Sequence, residues 1–143
     1  MKLTSPAFGN QEMMPSKFTC DGQDMNPPLI IEDVPTGAKS LTLIVDDPDA
    51  PNKTWTHWVV YDMPIIEQIE ENSVPGKEAG NDFGQKEYGG PCPPSGTHRY
   101  FFRLYALDTE LNLQEAGPRD EVEDAMKGHV LEQAELVGLY EKR

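Results

Sequence analysis

Two short segments of the chain combine ionisable side chains with rigid turns: residues 46–51 (DDPDAP) and residues 89–100 (GGPCPPSGTHRY). Each joins a strand-like run to a Pro-rich turn. Between them, residues 55–61 (WTHWVVY) place His57 among aromatic side chains. Imidazole and backbone N–H groups donate hydrogen bonds to oxyanions, and a neighbouring carboxylate orients an imidazole and fixes its tautomer. The three segments therefore predict a preformed polar pocket.

The alternation of residues 41–47 predicts where two neighbouring aspartates point. The odd positions from 41 to 45 are apolar, so Asp47 is expected to end a strand on the core side, while Asp46 faces the other way. A buried carboxylate is costly unless a cation or hydrogen bonds satisfy it, which makes Asp47 a candidate site residue. Asp49 is either a ligand-binding residue or a turn residue, because aspartates in turns commonly form hydrogen bonds with the local backbone.

Two histidines fall on or beside predicted strands. One face of the second strand carries Trp55, His57, Val59 and Tyr61. The other face carries Trp58 and Val60, so both faces look covered and His57 is predicted to lie inside. A lone histidine there is either a satisfied core residue or a site residue. His98 shares parity with Tyr100 and lies where a strand meets a Gly/Pro loop, a usual place for a site.

The Pro-rich turns are expected to hold the pocket walls without a ligand, because each proline fixes φ and restricts the residue before it. The Ala50–Pro51 bond is a candidate for a cis peptide, with a trans turn as the alternative. Gly89 and Gly90 offer backbone N–H groups suited to an oxyanion or phosphate, although a Gly-Gly pair also occurs in loops that are simply flexible.

The remaining pattern predicts a single, mainly β domain over residues 1–143, with antiparallel strands, Pro-rich turns and a C-terminal helix. Strand signals cover residues 29–32, 41–47, 54–62 and 100–107, and residues 63–89 form a long connection. The helix is expected from Pro118, with Asp120 as its cap and with Val122, Met126 and Val130 at helical spacing. Residues 134–140 fit a closing strand better than a helix extension.

The charge of the chain restricts its partners. A net charge of −13 and a pI near 4.5 argue against nucleic acid and anionic membrane surfaces. The start of the chain has no apolar stretch that resembles a signal peptide or a membrane span, so a cytoplasmic protein without integral membrane contact is expected. In a reducing cytosol Cys20 and Cys92 are expected to be free thiols, with a bridge open to them only if the fold brings them together.

These motifs together resemble the phosphatidylethanolamine-binding protein family, in its short prokaryotic branch related to Raf kinase inhibitors. The Asp-Pro-Asp-Ala-Pro turn, the Trp-x-His strand and the run from Gly-Pro-x-Pro-Pro to His-Arg-Tyr occur in the family's order. Residues 18–22 (FTCDG) and 128–131 (GHVL) are also similar, so the resemblance covers nearly the whole chain.

The resemblance implies a β-sandwich around a large central antiparallel sheet, with a small cavity for anions at one end. The residues implied to bind the ligand are Asp47, Asp49, Pro51, His57, Gly90, Pro91, Pro94, His98 and Tyr100. The implied function is non-enzymatic and without a cofactor: the binding of phosphate, phosphoryl headgroups or carboxylates. A homodimer and a protease or other protein partner are also expected. Kinase regulation does not transfer, because the link from Pro51 to Trp55 is short and Tyr61-Asp62 stands where the long eukaryotic form commonly has Asn-Met. The C-terminal tail, which helps to cover the cavity in eukaryotic members, also differs.

Three other functions compete with an anion receptor. The first alternative is a serine protease inhibitor that acts through an exposed loop within residues 63–89. A metal-dependent hydrolase would use Asp47, His57 and His98 around Zn²⁺ or Fe²⁺, although their spacing matches no metal motif. Nucleophilic catalysis by Cys92 or Ser95 lacks a Gly-x-Ser-x-Gly turn.

Overall fold

The computed structural model describes residues 1–142, and within them the chain forms nine strands and one α-helix. The strands are β1 (Lys2–Thr4), β2 (Glu12–Met13), β3 (Leu29–Glu32), β4 (Ser40–Asp47), β5 (Trp55–Met63), β6 (Gln68–Ile69), β7 (Lys77–Glu78), β8 (Thr97–Leu107) and β9 (Val130–Glu141). The helix α1 spans Arg119–Met126, and a 3₁₀ turn covers Ser16–Phe18. The predicted strands are present, and β9 is longer than the expected closing strand.

Two sheets form a β-sandwich, as predicted. The large sheet has the order β2-β9-β8-β4-β5-β7, and the small sheet has the order β1-β3-β6. Their strands pair antiparallel except where β2 joins β9 in parallel. The main core fills the space between the sheets, and a smaller cluster packs between the large sheet and α1. Strand β4 is buried along its whole length because it is central and covered on both faces.

The helix is shorter than the spacing of apolar residues from Val122 to Val130 predicts. Pro118 occupies the N-cap, so Asp120 lies in the first turn and does not cap the helix as predicted. Val122 and Met126 are buried one turn apart, which anchors α1 on the sheet. The helix ends at Met126, and Gly128 adopts φ +81°, a left-handed conformation that reverses the chain. Val130 therefore starts β9 and does not belong to the helix, contrary to the prediction.

Two local expectations were wrong. Cys20 and Cys92 form a disulfide across 72 residues, because the fold brings their loops to a Cα–Cα distance of 5.5 Å. The Ala50–Pro51 bond is trans, and residues 1–142 contain no cis peptide bond. Within the same range no helix combines the length and apolar character that crossing a bilayer requires.

Candidate functional site

A cavity of about 310 Å³ lies where β4, β5 and β8 meet the Pro-rich loops. Its walls come from the turn after β4 and from the segment that precedes β8. It is lined by Asp47, Ala50, Pro51, Asn52, Trp55, His57, Phe83, Cys92, Pro93, Pro94, His98 and Tyr100. Aromatic rings and prolines make up much of this lining, while one carboxylate and two imidazoles supply polar groups. Within the described residues 1–142, the lining includes no lysine or arginine.

A β-bulge in β5 places one of the imidazoles. Val45 of β4 pairs with Trp58, but the next residue, Asp46, pairs with Thr56. His57 therefore has no residue opposite it on β4. A bulge of this kind bends the strand and redirects a side chain, and it is common beside functional sites.

The bulge also changes which residues share a face with His57. Trp58 and Val60 belong to the core between the sheets, as their predicted common face requires, whereas Val59 and Tyr61 face the helix. The ring of His57 nevertheless contacts Tyr100, a member of the core between the sheets, with 5.3 Å between ring centroids. The prediction that His57 shares its face with Val59 and Tyr61 was therefore wrong, because strict alternation fails at the bulge.

Asp47 and His98 form a buried hydrogen-bonded pair. Nδ1 of His98 lies 2.7 Å from Oδ2 of Asp47, and the two side chains are 10% and 4% exposed. The second carboxylate oxygen accepts the backbone N–H of Asp49 at 2.8 Å. Since an ionised carboxylate only accepts, the proton of this bond lies on Nδ1, and Nε2 is the ring nitrogen left for a ligand. The core-side position of Asp47 agrees with its predicted parity.

The carbonyl of Gly89 fixes the tautomer of His57. Nδ1 of His57 lies 2.6 Å from this oxygen, which accepts and so requires the proton on Nδ1. Burial lowers the pKa of His57, and the Gly89 carbonyl opposes that shift. Phe83 and Tyr100 contact the imidazole edge to face, each with 5.3 Å between centroids. In the free protein the neutral ring therefore presents Nε2 as an acceptor, and it becomes a donor there only on protonation.

Two buried hydrogen-bond donors belong to cavity-lining side chains. Within residues 1–142, Nε1 of Trp55 and the hydroxyl of Tyr100 have no hydrogen-bond partner. The Tyr100 hydroxyl faces the Asp47 carboxylate and the backbone N–H of Cys92, but neither contact has the geometry of an ordinary hydrogen bond. Burial and the charge of Asp47 raise the pKa of Tyr100, so its hydroxyl keeps its proton. Buried donors without acceptors are unusual in folded proteins.

Asp49 lies at the rim and does not line the cavity. Its carboxylate accepts the backbone N–H of Arg99 at 2.9 Å and the guanidinium at 2.9 and 2.8 Å. The hydrogen bond from the Arg99 side chain is the main reason that the pKa of Asp49 falls to about 2. Of the two predicted roles, the geometry favours the structural one: Asp49 ties the turn after β4 to the start of β8.

The hydrogen bonds of the Gly-Pro segment also differ from the prediction. The N–H of Gly89 donates to the backbone carbonyl of His57 at 3.0 Å. The N–H of Gly90 donates to Oδ1 of Asp24 at 2.8 Å. The carbonyl of Pro91 accepts the N–H of Cys20. Neither glycine N–H is therefore available to an oxyanion, and neither Gly90 nor Pro91 lines the cavity. Pro51 and Pro94 do line it, as predicted.

Several lining residues were missed by the sequence analysis. Trp55 lies two residues before His57, and that spacing was a usable signal for a shared face. Phe83 comes from the long connection after β5 and covers both rings, with centroid distances of 5.6 Å to Trp55 and 5.3 Å to His57. Nothing in the local pattern indicates its position, because tertiary contacts alone bring it to the cavity.

A larger cavity, of about 530 Å³, lies on the opposite face of the large sheet beside α1. At its floor Asp46 is almost fully buried and binds two guanidinium groups, those of Arg103 and Arg119. Arg119 also pairs with Glu123. These ion pairs satisfy the buried charges internally, so this cavity has the features of a structural cluster. Asp46 thus points away from Asp47, as the alternation predicts.

The arrangement does not favour a metal centre. Within residues 1–142 no three His, Cys, Asp or Glu side chains converge in a way that could hold a metal ion. Asp47 and one nitrogen of each imidazole are already engaged with protein atoms. The geometry accordingly gives no support to the predicted metal set of Asp47, His57 and His98.

Sequence comparisons relate the chain to proteins of similar length. Residues 4–141 match the family model of the phosphatidylethanolamine-binding proteins. A UPF0098 protein from Methanothermobacter thermautotrophicus is 51% identical over 150 residues, which cover 99% of both chains. A UPF0098 protein from Pyrococcus abyssi is 48% identical over 155 residues, covering 100% of this chain and 86% of that protein.

Solved structures show the same architecture. The crystal structure of a phosphatidylethanolamine-binding protein homologue from Chlamydia trachomatis superposes with a TM-score of 0.96 at 40% identity, covering 99% of this chain and 97% of the other. That of YbcL from E. coli, described as a member of the mammalian family, gives 0.91 at 28% identity, covering 99% and 98%.

Proposed function

Because the chain belongs to the phosphatidylethanolamine-binding protein family, we propose that it is a binding protein for small oxyanions, held in the cavity between β4, β5 and β8. The ligand class comprises inorganic phosphate, phosphoryl headgroups and small carboxylates. The ligand is bound and released unchanged, and no cofactor takes part.

The unpartnered donors of Trp55 and Tyr100 carry this proposal. A buried donor without an acceptor costs about 1–3 kcal/mol. An oxyanion offers several lone pairs that can accept from such donors, whereas an apolar ligand would leave them unsatisfied. Since no lysine or arginine among residues 1–142 lines the cavity, oriented neutral donors and the imidazoles would hold the anion.

The candidate nucleophiles support binding over catalysis. Cys92 is bonded to Cys20 and so presents no thiolate. Ser95 is outside the cavity lining, although it lies only three residues before His98. The imidazoles therefore have no activated nucleophile beside them in the cavity. The homodimer, the cytoplasmic location and protease inhibition stay predictions from the sequence.

Isothermal titration calorimetry with inorganic phosphate, phosphorylethanolamine and acetate tests the proposal. Saturable binding with one site per chain is expected, and substituting Trp55→Phe should weaken it because the indole N–H is lost while an aromatic ring remains. Absence of saturable binding for all three anions would refute the proposal.

The pH dependence of acetate binding supplies a second test, since acetate stays ionised near neutral pH. The pKa of His57 is lowered in the free protein, and a bound anion favours the protonated ring. Binding should therefore take up a proton, and the affinity should be higher at about pH 6 than at about pH 8. An affinity that rises with pH would contradict this role for the imidazoles.

A further inference from the structure

The disulfide joins two loops of which one carries part of the cavity wall. Cys20 follows the 3₁₀ turn near the start of the chain, and Cys92 lies in the Pro-rich segment before β8. Cys92 itself lines the cavity, between Pro91 and Pro93. The bridge thus connects the cavity to a loop that is otherwise remote from it in sequence.

Cys92 lies beside one of the unpartnered donors of the cavity. Its N–H faces the hydroxyl of Tyr100, one of the two unpartnered donors. The N–H groups of Gly89 and Gly90 are bonded to other protein atoms. The Cys92 N–H is therefore the backbone donor of this segment that lies beside a side chain proposed to bind the ligand.

The bridge is accessible to a reductant from one side. Cys20 is exposed, whereas Cys92 is half-buried. Disulfides are cleaved by attack of a thiolate on one sulfur, and exposed bridges are the more readily reduced. A small dithiol can therefore attack at Cys20, forming a mixed disulfide and releasing Cys92 as a thiolate that takes up a proton.

We propose that the Cys20–Cys92 disulfide is a redox control on the oxyanion site, which binds its ligand more tightly in the oxidised than in the reduced protein. This inference rests on the proposed function. The dithiol supplies two electrons and two protons, so that the protein gains two thiols and the reductant becomes a cyclic disulfide.

Reduction should act locally because other contacts keep the two loops together. Cys20 N–H donates to the Pro91 carbonyl at 3.1 Å, and Tyr88 donates its hydroxyl to the Phe18 carbonyl at 2.8 Å. The Asp24 carboxylate also holds the Gly90 N–H. These bonds lie on one side of Cys92. What reduction removes is the covalent restraint on the Cys92 side chain, in the stretch of cavity wall that continues into Pro93 and Pro94.

The test compares phosphate binding by calorimetry in the oxidised protein and after reduction with dithiothreitol, with the thiol content measured by alkylation and mass spectrometry. We expect about a tenfold weaker affinity in the reduced protein, because the cavity wall at Cys92 is then no longer held in one position. The double variant Cys20→Ser/Cys92→Ser should bind as the reduced protein does and should not respond to dithiothreitol. Amide NMR signals of β4 and β8 report whether the sheet stays folded.

The outcomes separate this inference from the function on which it rests. If the oxidised protein binds phosphate and the reduced, folded protein binds it equally well, the redox control is wrong while the oxyanion site stands. If neither form binds any anion, the proposed function fails first. If reduction unfolds the wild-type sheet, the bridge is a structural staple, which also overturns the redox control. A double variant that does not fold leaves the comparison to the wild-type protein in its two redox states.

Discussion

Replacing Tyr100 with phenylalanine should raise the stability of the free protein and weaken anion binding at the same time. The Tyr100 hydroxyl is buried and has no hydrogen-bond partner within residues 1–142. The ring itself is fully buried in the core between the sheets and touches both imidazoles of the site. Tyr100→Phe keeps the ring and removes only the oxygen, so the two effects come from the hydroxyl alone.

The magnitudes follow from the environment of that hydroxyl. Removing an unsatisfied buried hydroxyl recovers part of a desolvation cost of about 1–3 kcal/mol, and the lost contacts of one oxygen offset some of the gain. We therefore expect the free energy of unfolding to increase by about 1 kcal/mol. Loss of a donor to a charged acceptor is worth about 1.5–3 kcal/mol, which weakens the affinity for phosphate roughly tenfold to a hundredfold.

Urea denaturation and calorimetry with phosphate measure the two quantities on the same samples. Tyr140→Phe is the matched control, because the Tyr140 hydroxyl donates to Oδ2 of Asp21 at 2.6 Å and its side chain does not line the cavity. That variant should lose stability and keep its affinity. If Tyr100→Phe instead lowers the stability and leaves phosphate binding unchanged, the hydroxyl is satisfied in the free protein and the reasoning for the site is refuted.

Three further variants or conditions give independent tests. His98→Ala should weaken phosphate binding at least about tenfold, because it removes an imidazole from the cavity, whereas the exposed His129→Ala should not; equal affinities measured by calorimetry would contradict the site. Asp46→Ala should lower the free energy of unfolding by about 3 kcal/mol in urea denaturation, because the carboxylate holds two arginines on the opposite face of the sheet. Its phosphate affinity in calorimetry should not change, and a weaker affinity would contradict the structural role of this cluster. Because the pKa of His57 is lowered by folding, the unfolded chain binds a proton at this residue more readily than the folded protein does. The free energy of unfolding should therefore be complete above about pH 6.5 and fall as the pH drops below it. In urea titrations His57→Gln should flatten this pH dependence, and an unchanged slope would contradict the reasoning.

The alternation of apolar residues predicts the central part of this fold because it is a property of the backbone. The run over residues 41–47 becomes β4, and the opposite directions of Asp46 and Asp47 follow from the two-residue period of a strand. The side chain of His98 lies at the mouth of β8, as parity with Tyr100 predicts. These features depend on residues that are neighbours in the sequence.

The failures share a different cause. The bulge at His57 inserts one residue into the ladder, and no residue type in β5 marks that insertion. The internal bonds of Gly89 and Gly90, and the pairing of Cys20 with Cys92, depend on loops far apart in sequence. Turn chemistry alone could not decide between the two roles of Asp49, because its partner Arg99 lies 50 residues along the chain.

The adjacent carboxylates of β4 also bear on how the chain finds its strand pairing. Asp46 needs the guanidinium groups on the helix side of the sheet, and Asp47 needs the imidazole on the other side. A slip of β4 by one residue against β8 would turn every side chain to the opposite face and bury both carboxylates without their hydrogen-bonding partners. Because β4 packs apolar side chains on both of its faces before this pair, hydrophobic contact alone distinguishes poorly between neighbouring registers. The two aspartates therefore favour the native alignment of β4 over a one-residue slip, an effect separate from anything that the cavity binds.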